Sequence, residues 1–238
     1  MLLRRTPVTA GLSSLYTGLV AYWGLDETSG DRADSTIVGN TLTDTNTVTS
    51  AAGKQGNAAQ FAAGSSEKLG IADNIWLSMG DIDFAIGLWF QITDVSALRH
   101  IFAKSNTALL FEYRLRYNNG SGRIEWRVSG AGTAETSLVS GVLSADTWYF
   151  VFVWHDATNN VIGMRVDDGA DGTAAHTTGV ANGINDFILG GQMAGTQYFT
   201  GLIDEVAVWK NYIPTTDERA WLYNSGAGRT FTEIYNYR

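Results

Sequence analysis

The sequence predicts an all-β protein, a jelly-roll β-sandwich of two antiparallel sheets with one short C-terminal helix. Short stretches of alternating apolar and polar residues are separated by Gly, Asn and Asp, which favour turns. The chain has 27 glycines but only 2 prolines, and it contains 10 Phe, 10 Tyr and 8 Trp residues. Its 238 residues can bury a large core without disulfides, which the lack of cysteine excludes.

Two segments predict central strands. The segment FAIGLWFQI (84–92) places five large apolar residues on one face, and these are Phe84, Ile86, Leu88, Phe90 and Ile92. The segment WYFVFVWHD (148–156) is apolar on both faces. A strand that is apolar on both faces lies inside a sheet covered on each side.

A β-hairpin is predicted around Asn118, Asn119 and Gly120. Asn and Gly tolerate the positive φ angles that tight turns need. On both sides of this turn, aromatic or aliphatic residues alternate with Arg and Glu. The alternation predicts a half-exposed sheet with charge pairs between its strands.

One helix is predicted after Pro214. Thr215 and Glu218 have the spacing of a capping box, in which each side chain accepts a hydrogen bond from the other residue's backbone N–H. Gly226 suits the C-terminal end of this segment, because glycine readily adopts the left-handed conformation found there.

We interpret residues 18–226 as one domain, flanked by an N-terminal arm (1–17) and a C-terminal tail (227–238). Arg4 and Arg5 resemble the start of a signal peptide, but no continuous apolar stretch of about 7–15 residues follows them. No apolar run approaches the roughly 18 residues of a membrane span. We therefore expect neither a signal peptide nor insertion into a membrane.

The charge balance narrows the range of partners. The chain has 16 basic and 24 acidic residues, which gives a formal net charge of −8. This charge disfavours nucleic acid and anionic membranes as partners. Hydrolysis and metal binding both remain compatible with it.

Five short motifs are spread over residues 18–213 of the chain. They are, in order, GLVAYWGLDETSGDRADSTIVGN (18–40), GKQGNAAQF (53–61), DIDFAIGLWF (81–90), DTWYFVFVWHDA (146–157) and FTGLIDEVAVWKNYI (199–213). Their order and spacing resemble the laminin-G-like proteins of the concanavalin A-like lectin/glucanase superfamily. The resemblance implies a jelly-roll sandwich, often with one calcium ion, that frequently binds glycans or proteins. It does not supply a function, because this fold hosts lectins, hydrolases, adhesion modules and virion components.

The resemblance also implies a calcium site. Asp204 would meet loop oxygens near Asp34, and Asp26 is the next candidate ligand. Calcium takes six to eight oxygen ligands, several of them from backbone carbonyls. The alternative is structural: Asp34 caps a turn, and Asp204 accepts hydrogen bonds from loop amides. In either case Glu205 is expected to face solvent or to form a salt bridge.

No catalytic pair is predicted. Retaining glycosidases need two carboxyl groups about 5–5.5 Å apart on one face. Asp204 and Glu205 are consecutive, so on a strand they point to opposite sides. Asp81 and Asp83 have the spacing of one face, but no Glu completes the glycosidase pattern. We therefore expect a protein that is not an enzyme.

Three aromatic residues are candidates for a glycan-binding surface. A sugar stacks its apolar face on an exposed aromatic ring, and polar groups around the ring fix its orientation. Trp76 lies in a predicted loop, Tyr117 lies near the hairpin tip, and Trp126 alternates with charged residues. Core packing is the alternative for each of them.

These observations predict a non-enzymatic, lectin-like structural or adhesion protein. We expect it on the surface of a virion, such as a bacteriophage head decoration, or at another extracellular surface. The arm and the tail would dock onto other subunits of a homo-oligomeric particle, and the domain would bind glycan or protein. A free carbohydrate-binding module is the alternative, and a glycoside hydrolase is the third possibility.

Overall fold

The computed structural model describes residues 14–106, 111–130 and 135–237. In this part of the chain two antiparallel sheets form a sandwich, which confirms the predicted fold class. The strands are, in chain order, β1 Leu19–Trp23, β2 Thr43–Thr45, β3 Thr49–Ala52, β4 Asn57–Phe61, β5 Lys68–Ile71, β6 Phe84–Ile92, β7 Arg99–Ser105, β8 Phe111–Asn118, β9 Arg123–Ser129, β10 Glu135–Val142, β11 Trp148–Asp156, β12 Val161–Val166, β13 Gly172–Ala175, β14 Phe187–Leu189 and β15 Gly201–Lys210.

The order of strands differs from their order in the chain, as expected for a jelly roll. The first sheet runs β13-β12-β11-β6-β15-β4-β3, and β1 also pairs with β15. The second sheet runs β10-β9-β8-β7-β14-β5-β2. Strands β6 and β11 therefore lie side by side in the interior of the first sheet, as their apolar faces predict.

Both faces of the first sheet are buried. The five apolar residues predicted for one face of β6 pack between the two sheets, in what we call the inner core. The opposite face carries a second apolar group, which we call the outer cluster. Its members include Trp89, Phe150, Phe152, Trp154 and Trp209.

The outer cluster is covered by segments near the two ends of the chain. These segments are the 3₁₀ turn Ser14–Tyr16, helix α1 (Thr216–Tyr223) and the short helix α2 (Phe231–Tyr235). Leu15 and Ile234 are both buried there, with at most 1% of either residue exposed. Within the predicted tail (227–238), Phe231, Ile234 and Tyr237 pack onto the sheet, and docking of the tail onto a partner stays a prediction. Most of the predicted arm, residues 1–13, lies outside the described residues.

The predicted helix and its capping box are confirmed. In α1, Thr215 Oγ1 accepts a hydrogen bond from Glu218 N at 3.3 Å, and Glu218 Oε2 accepts one from Thr215 N at 2.7 Å. A 3₁₀ turn, Asn224–Gly226, ends this segment at the predicted glycine. The capping box fixes where α1 starts, and so where its side chains meet the first sheet.

The predicted hairpin is also confirmed. Strands β8 and β9 pair across the turn, with Asn118 opposite Arg123. Arg116 and Glu125 are cross-strand neighbours, and Arg116 Nε lies 2.7 Å from Glu125 Oε2. The alternating charged residues thus form the expected pairs on the face that points away from the inner core.

Candidate functional site

An open cleft of about 710 Å³ lies where β11, β12 and β13 meet the connection between β15 and α1. We call it the Trp154 cleft, after the aromatic residue in its lining. The side chains on which its chemistry depends are Asp83, Trp154, Asp156, Asp171, Tyr212 and Arg219. Their elements are far apart in the chain, and the first sheet and α1 bring them together.

Trp154 lies on β11 directly opposite Gly163 of β12. A Cβ atom at Gly163 would be 1.9 Å from Trp154 Cε2, so the indole ring lies against the glycine backbone. The guanidinium carbon of Arg219 stands 4.5 Å from the centre of the Trp154 ring. The indole is therefore held between the sheet and a cation, an arrangement that favours both groups.

Arg219 extends from α1 and is held by several contacts. Its Nη1 donates to Pro214 O at 2.6 Å and its Nη2 donates to Thr216 Oγ1 at 3.2 Å, while Asp171 forms an ion pair with the same guanidinium. Only 5% of Arg219 is exposed, and its Nε makes no hydrogen bond within the part of the chain that the structure describes. Arg219 is therefore fixed in place as part of the wall of the cleft.

The acids of the cleft are fixed by local hydrogen bonds. Asp83 Oδ1 accepts from Ala157 N at 2.9 Å. Asp156 accepts from Asn159 N at 2.8 Å and from Asn159 Nδ2 at 2.7 Å. These contacts orient the carboxylates before any ligand arrives, which lowers the entropy cost of binding.

Tyr212 is fixed in the same way from the other side of the cleft. Its hydroxyl donates to Glu218, with Oε2 at 2.8 Å. Burial and this carboxylate raise the pKa of Tyr212 to about 12, so the hydroxyl stays protonated. The cleft therefore presents a fixed phenol and carboxylates, and the largely buried Arg219 and Trp154 form part of its wall.

Three carboxyl groups outside the cleft have strongly raised pKa values. Burial raises the pKa of Glu112 to about 7, that of Asp204 to about 7 and that of Glu205 to about 8. A general acid with such a pKa must reach its substrate. None of the three lines the Trp154 cleft, and each is at most 6% exposed. The described residues thus separate the proton-holding carboxyls from the accessible surface.

Asp204 and Asp26 both hold the loop between β3 and β4. Asp204 Oδ2 accepts from Lys54 N at 2.7 Å and from Gln55 N at 3.0 Å. Asp26 Oδ1 accepts from Asn57 N at 2.8 Å. For Asp204 this is the structural alternative stated above.

Asp34 caps a separate turn. Its carboxylate accepts from Tyr22 N at 3.0 Å, Thr36 N at 2.8 Å and Asn40 N at 2.8 Å. The hydroxyl of Thr36 donates to the same carboxylate at 2.9 Å. The carboxylate therefore joins β1 to the loop that follows it.

The three predicted calcium ligands do not form one cluster. Within residues 14–106, 111–130 and 135–237, no group of three or more His, Cys, Asp or Glu side chains is placed to hold a metal ion. Asp34, Asp204 Oδ2 and Asp26 Oδ1 accept hydrogen bonds from backbone amides, whereas Asp204 Oδ1 is buried and makes no hydrogen bond among the described residues. The three carboxylates therefore do not form one ligand cluster among the described residues, and calcium binding stays a prediction.

We expect Asp34→Ala to lower the free energy of unfolding by about 2–3 kcal/mol, because several backbone N–H groups lose a charged acceptor. Urea unfolding of both proteins, with and without a calcium chelator, measures this loss. The chelator should leave the wild type unchanged. If it destabilises the wild type as much as the substitution does, Asp34 holds a metal ion instead.

Glu205 is neither solvent-facing nor salt-bridged among the described residues, so that prediction is wrong. The pairing of β15 is irregular between Asp204 and Ala207, and Glu205 has a φ of 52°. This bulge turns the side chain into the outer cluster, where it lines a cavity of about 10 Å³, room for about one water. Its Oε2 is buried and makes no hydrogen bond within the described chain.

Two of the three predicted glycan-binding aromatics are in the inner core. Trp126 is 0% exposed and its indole donates to Trp154 O at 3.2 Å, while Tyr117 is 4% exposed. The prediction is wrong for both, because the Arg and Glu residues that alternate with them take the outer face. Trp76 is 44% exposed in the loop before β6, away from the lining of the Trp154 cleft, and stays a prediction.

Residues 64–217 match the sequence model of a laminin-G family in the concanavalin A-like lectin/glucanases superfamily. The match covers more than half of the chain, so the protein belongs to this superfamily. No curated protein sequence matches the chain. In the described residues, no helix is long and apolar enough to cross a membrane.

Several solved structures share the fold. The binding domain of Paraclostridial Mosquitocidal Protein 1 has a TM-score of 0.71 at 12% identity, over 88% of this chain and 52% of that one. The botulinum neurotoxin serotype G binding domain has a TM-score of 0.69 at 12% identity, over 86% of this chain and 50% of that one. This chain thus spans about half of these toxin domains.

Domain 4 of AbnA, a GH43 extracellular arabinanase from Geobacillus stearothermophilus, was solved with arabinotriose. It has a TM-score of 0.64 at 17% identity, over 89% of this chain and 98% of that one. Such identities establish a common fold.

Proposed function

We propose that the protein is a non-catalytic binding domain that recognises glycans through the Trp154 cleft. The observation that carries this proposal is an open cleft of about 710 Å³ whose polar side chains are already fixed by hydrogen bonds. Trp154, which is 6% exposed and covered by Arg219, forms part of its wall. The superfamily, and the arabinotriose complex of a similar domain, support it.

The lining matches the chemistry of sugars. A sugar hydroxyl both donates and accepts hydrogen bonds, so it can donate to Asp83, to Asp156 or to the Tyr212 oxygen, whose own proton is donated to Glu218. Hydrogen bonds to charged groups are the stronger ones. The carboxylates are committed to local turns or to Arg219, which suits them for holding a ligand rather than for transferring a proton.

We extend the proposal to an extracellular or surface location, because the similar domains belong to toxins and to an extracellular enzyme. Decoration of a virion, docking onto other subunits and homo-oligomerisation stay predictions. A docking role for the C-terminal segment would now require the packed helix α2 to detach, or to bind a partner while it covers the outer cluster.

Blocking the cleft tests the proposal. Thr173 lines the cleft at an exposed position of edge strand β13, so Thr173→Trp fills the cleft with minimal effect on folding. We expect glycan affinity, measured by calorimetry on array hits, to fall at least about 10-fold, which corresponds to about 1.4 kcal/mol.

The matched control is Thr43→Trp, because Thr43 is an exposed threonine on edge strand β2 of the other sheet. It should bind glycan as the wild type does. Equal binding by both variants would contradict the site. Release of reducing ends from the bound glycan would contradict the non-catalytic role.

A further inference from the structure

The Trp154 cleft has a strong charge asymmetry. Asp83, Asp156 and Asp171 line it, and Arg219 is the cationic side chain among the described lining residues. The guanidinium of Arg219 is already paired with Asp171 and lies over the Trp154 ring. The cleft therefore holds more negative than positive charge, and its cation is neutralised in place.

The nearest further cation does not reverse this balance. Arg165 lies 2.7 Å from Asp168 and 3.9 Å from Asp171, so its charge is also matched by carboxylates. The formal net charge of the whole chain, −8, has the same sign as that of the cleft. An anionic group that enters the cleft would thus meet carboxylates without an unpaired guanidinium to receive it.

From this asymmetry we infer that the cleft selects uncharged oligosaccharides and rejects acidic ones, such as uronic acid oligomers. The inference rests on the proposed function and names the ligand class of the same site. Neutral sugars satisfy the carboxylates as hydroxyl donors. An acidic sugar would instead place its carboxylate beside those of Asp83, Asp156 and Asp171. Charges inside one cleft repel each other, and low salt screens this repulsion only partly.

The test compares matched ligands that differ in one group. Galactose oligomers carry CH₂OH where galacturonic acid oligomers of equal length carry a carboxylate, and mannose and mannuronic acid oligomers form a second pair. Calorimetry at about 20 mM and about 500 mM NaCl separates charge repulsion from shape, because salt screens the former. For whichever pair binds, we expect the affinity for the neutral oligomer to be at least about 10-fold higher than that for the acidic oligomer at low salt. This ratio of affinities should shrink at high salt.

The double variant Asp83→Asn, Asp156→Asn removes two negative charges while keeping oxygen acceptors at both positions. We expect the ratio of neutral to acidic affinity to fall at least about 3-fold, and circular dichroism checks that the variant is folded. Equal or tighter binding of the acidic member by the wild type would overturn this inference and leave the proposed function standing. If neutral sugars bind and Thr173→Trp does not weaken them, or if nothing binds, the proposed function and this inference both fail.

Discussion

Gly163→Ala is expected to lower the free energy of unfolding by about 3 kcal/mol and to abolish binding in the Trp154 cleft. A Cβ atom at this position would lie 1.9 Å from Trp154 Cε2 and 2.1 Å from Cζ2, far inside van der Waals contact. The ring cannot retreat easily, because Arg219 covers its other side. Overpacking a core typically costs about 1–3 kcal/mol, and a 1.9 Å separation forces the ring or the strand to move, so we expect the upper end of this range.

The control for this prediction is Gly141→Ala. Gly141 lies on β10 of the other sheet, and a Cβ atom there would meet nothing within 4 Å. Urea unfolding should place this variant within about 0.5 kcal/mol of the wild type. If both alanine variants have the same free energy of unfolding, the Trp154 indole does not pack against Gly163 and this prediction is wrong.

Raising the pH from about 7 to about 9 is expected to destabilise the protein by about 2 kcal/mol. The pKa values of Glu205, Asp204 and Glu112 are raised to about 8, 7 and 7 in the folded protein. In the unfolded chain these carboxyls titrate near pH 4. The folded state therefore binds more protons above pH 4, and its extra stability is lost as the pH rises through the folded pKa values.

The chosen pH range avoids the histidines, whose effect has the opposite sign. Burial lowers the pKa of His100 to about 3, and burial also lowers the pKa of His176. Stability from these groups rises with pH up to the unfolded value of about 6.5 and is constant above it. A measurement from about pH 7 upwards thus reports the carboxyls.

Glu205→Gln isolates the largest contribution. The amide keeps the shape of the protonated carboxyl and cannot ionise, so the variant should lose only about 1 kcal/mol over the same range. Asp217→Asn, at an exposed position in the first turn of α1, is the matched control and should follow the wild type. A wild type whose unfolding free energy is the same at both pH values would show that Glu205 is ionised in the folded state.

Local sequence patterns predict most of the fold. The alternation in β6 and β11 identifies central strands, and the spacing of Thr215 and Glu218 identifies the start of α1. The same alternation also indicates that Trp126 faces the inner core, because its neighbours Glu125 and Arg127 need the outer face. The prediction that Trp126 belongs to a glycan-binding surface conflicts with this alternation.

The cleft and the bulge are not encoded locally. Trp154 packs in the outer cluster, and nothing near it in the sequence shows that Arg219 of α1 will cover it. Glu205 reaches the outer cluster because β15 changes register, and period-two reasoning assumes a regular strand. Gly163 is the one local indication of how Trp154 packs, because a glycine inside a strand often marks the close approach of another group.

The most direct test of the central claim is the indole N–H resonance of Trp154 in a nitrogen–proton correlation spectrum during titration with the tightest neutral oligosaccharide. If the Trp154 cleft is the binding site, this resonance shifts saturably with the calorimetric affinity, while that of exposed Trp76 stays in place. A saturable shift of Trp76 with an unmoved Trp154 would place the glycan at the loop before β6 and contradict the account.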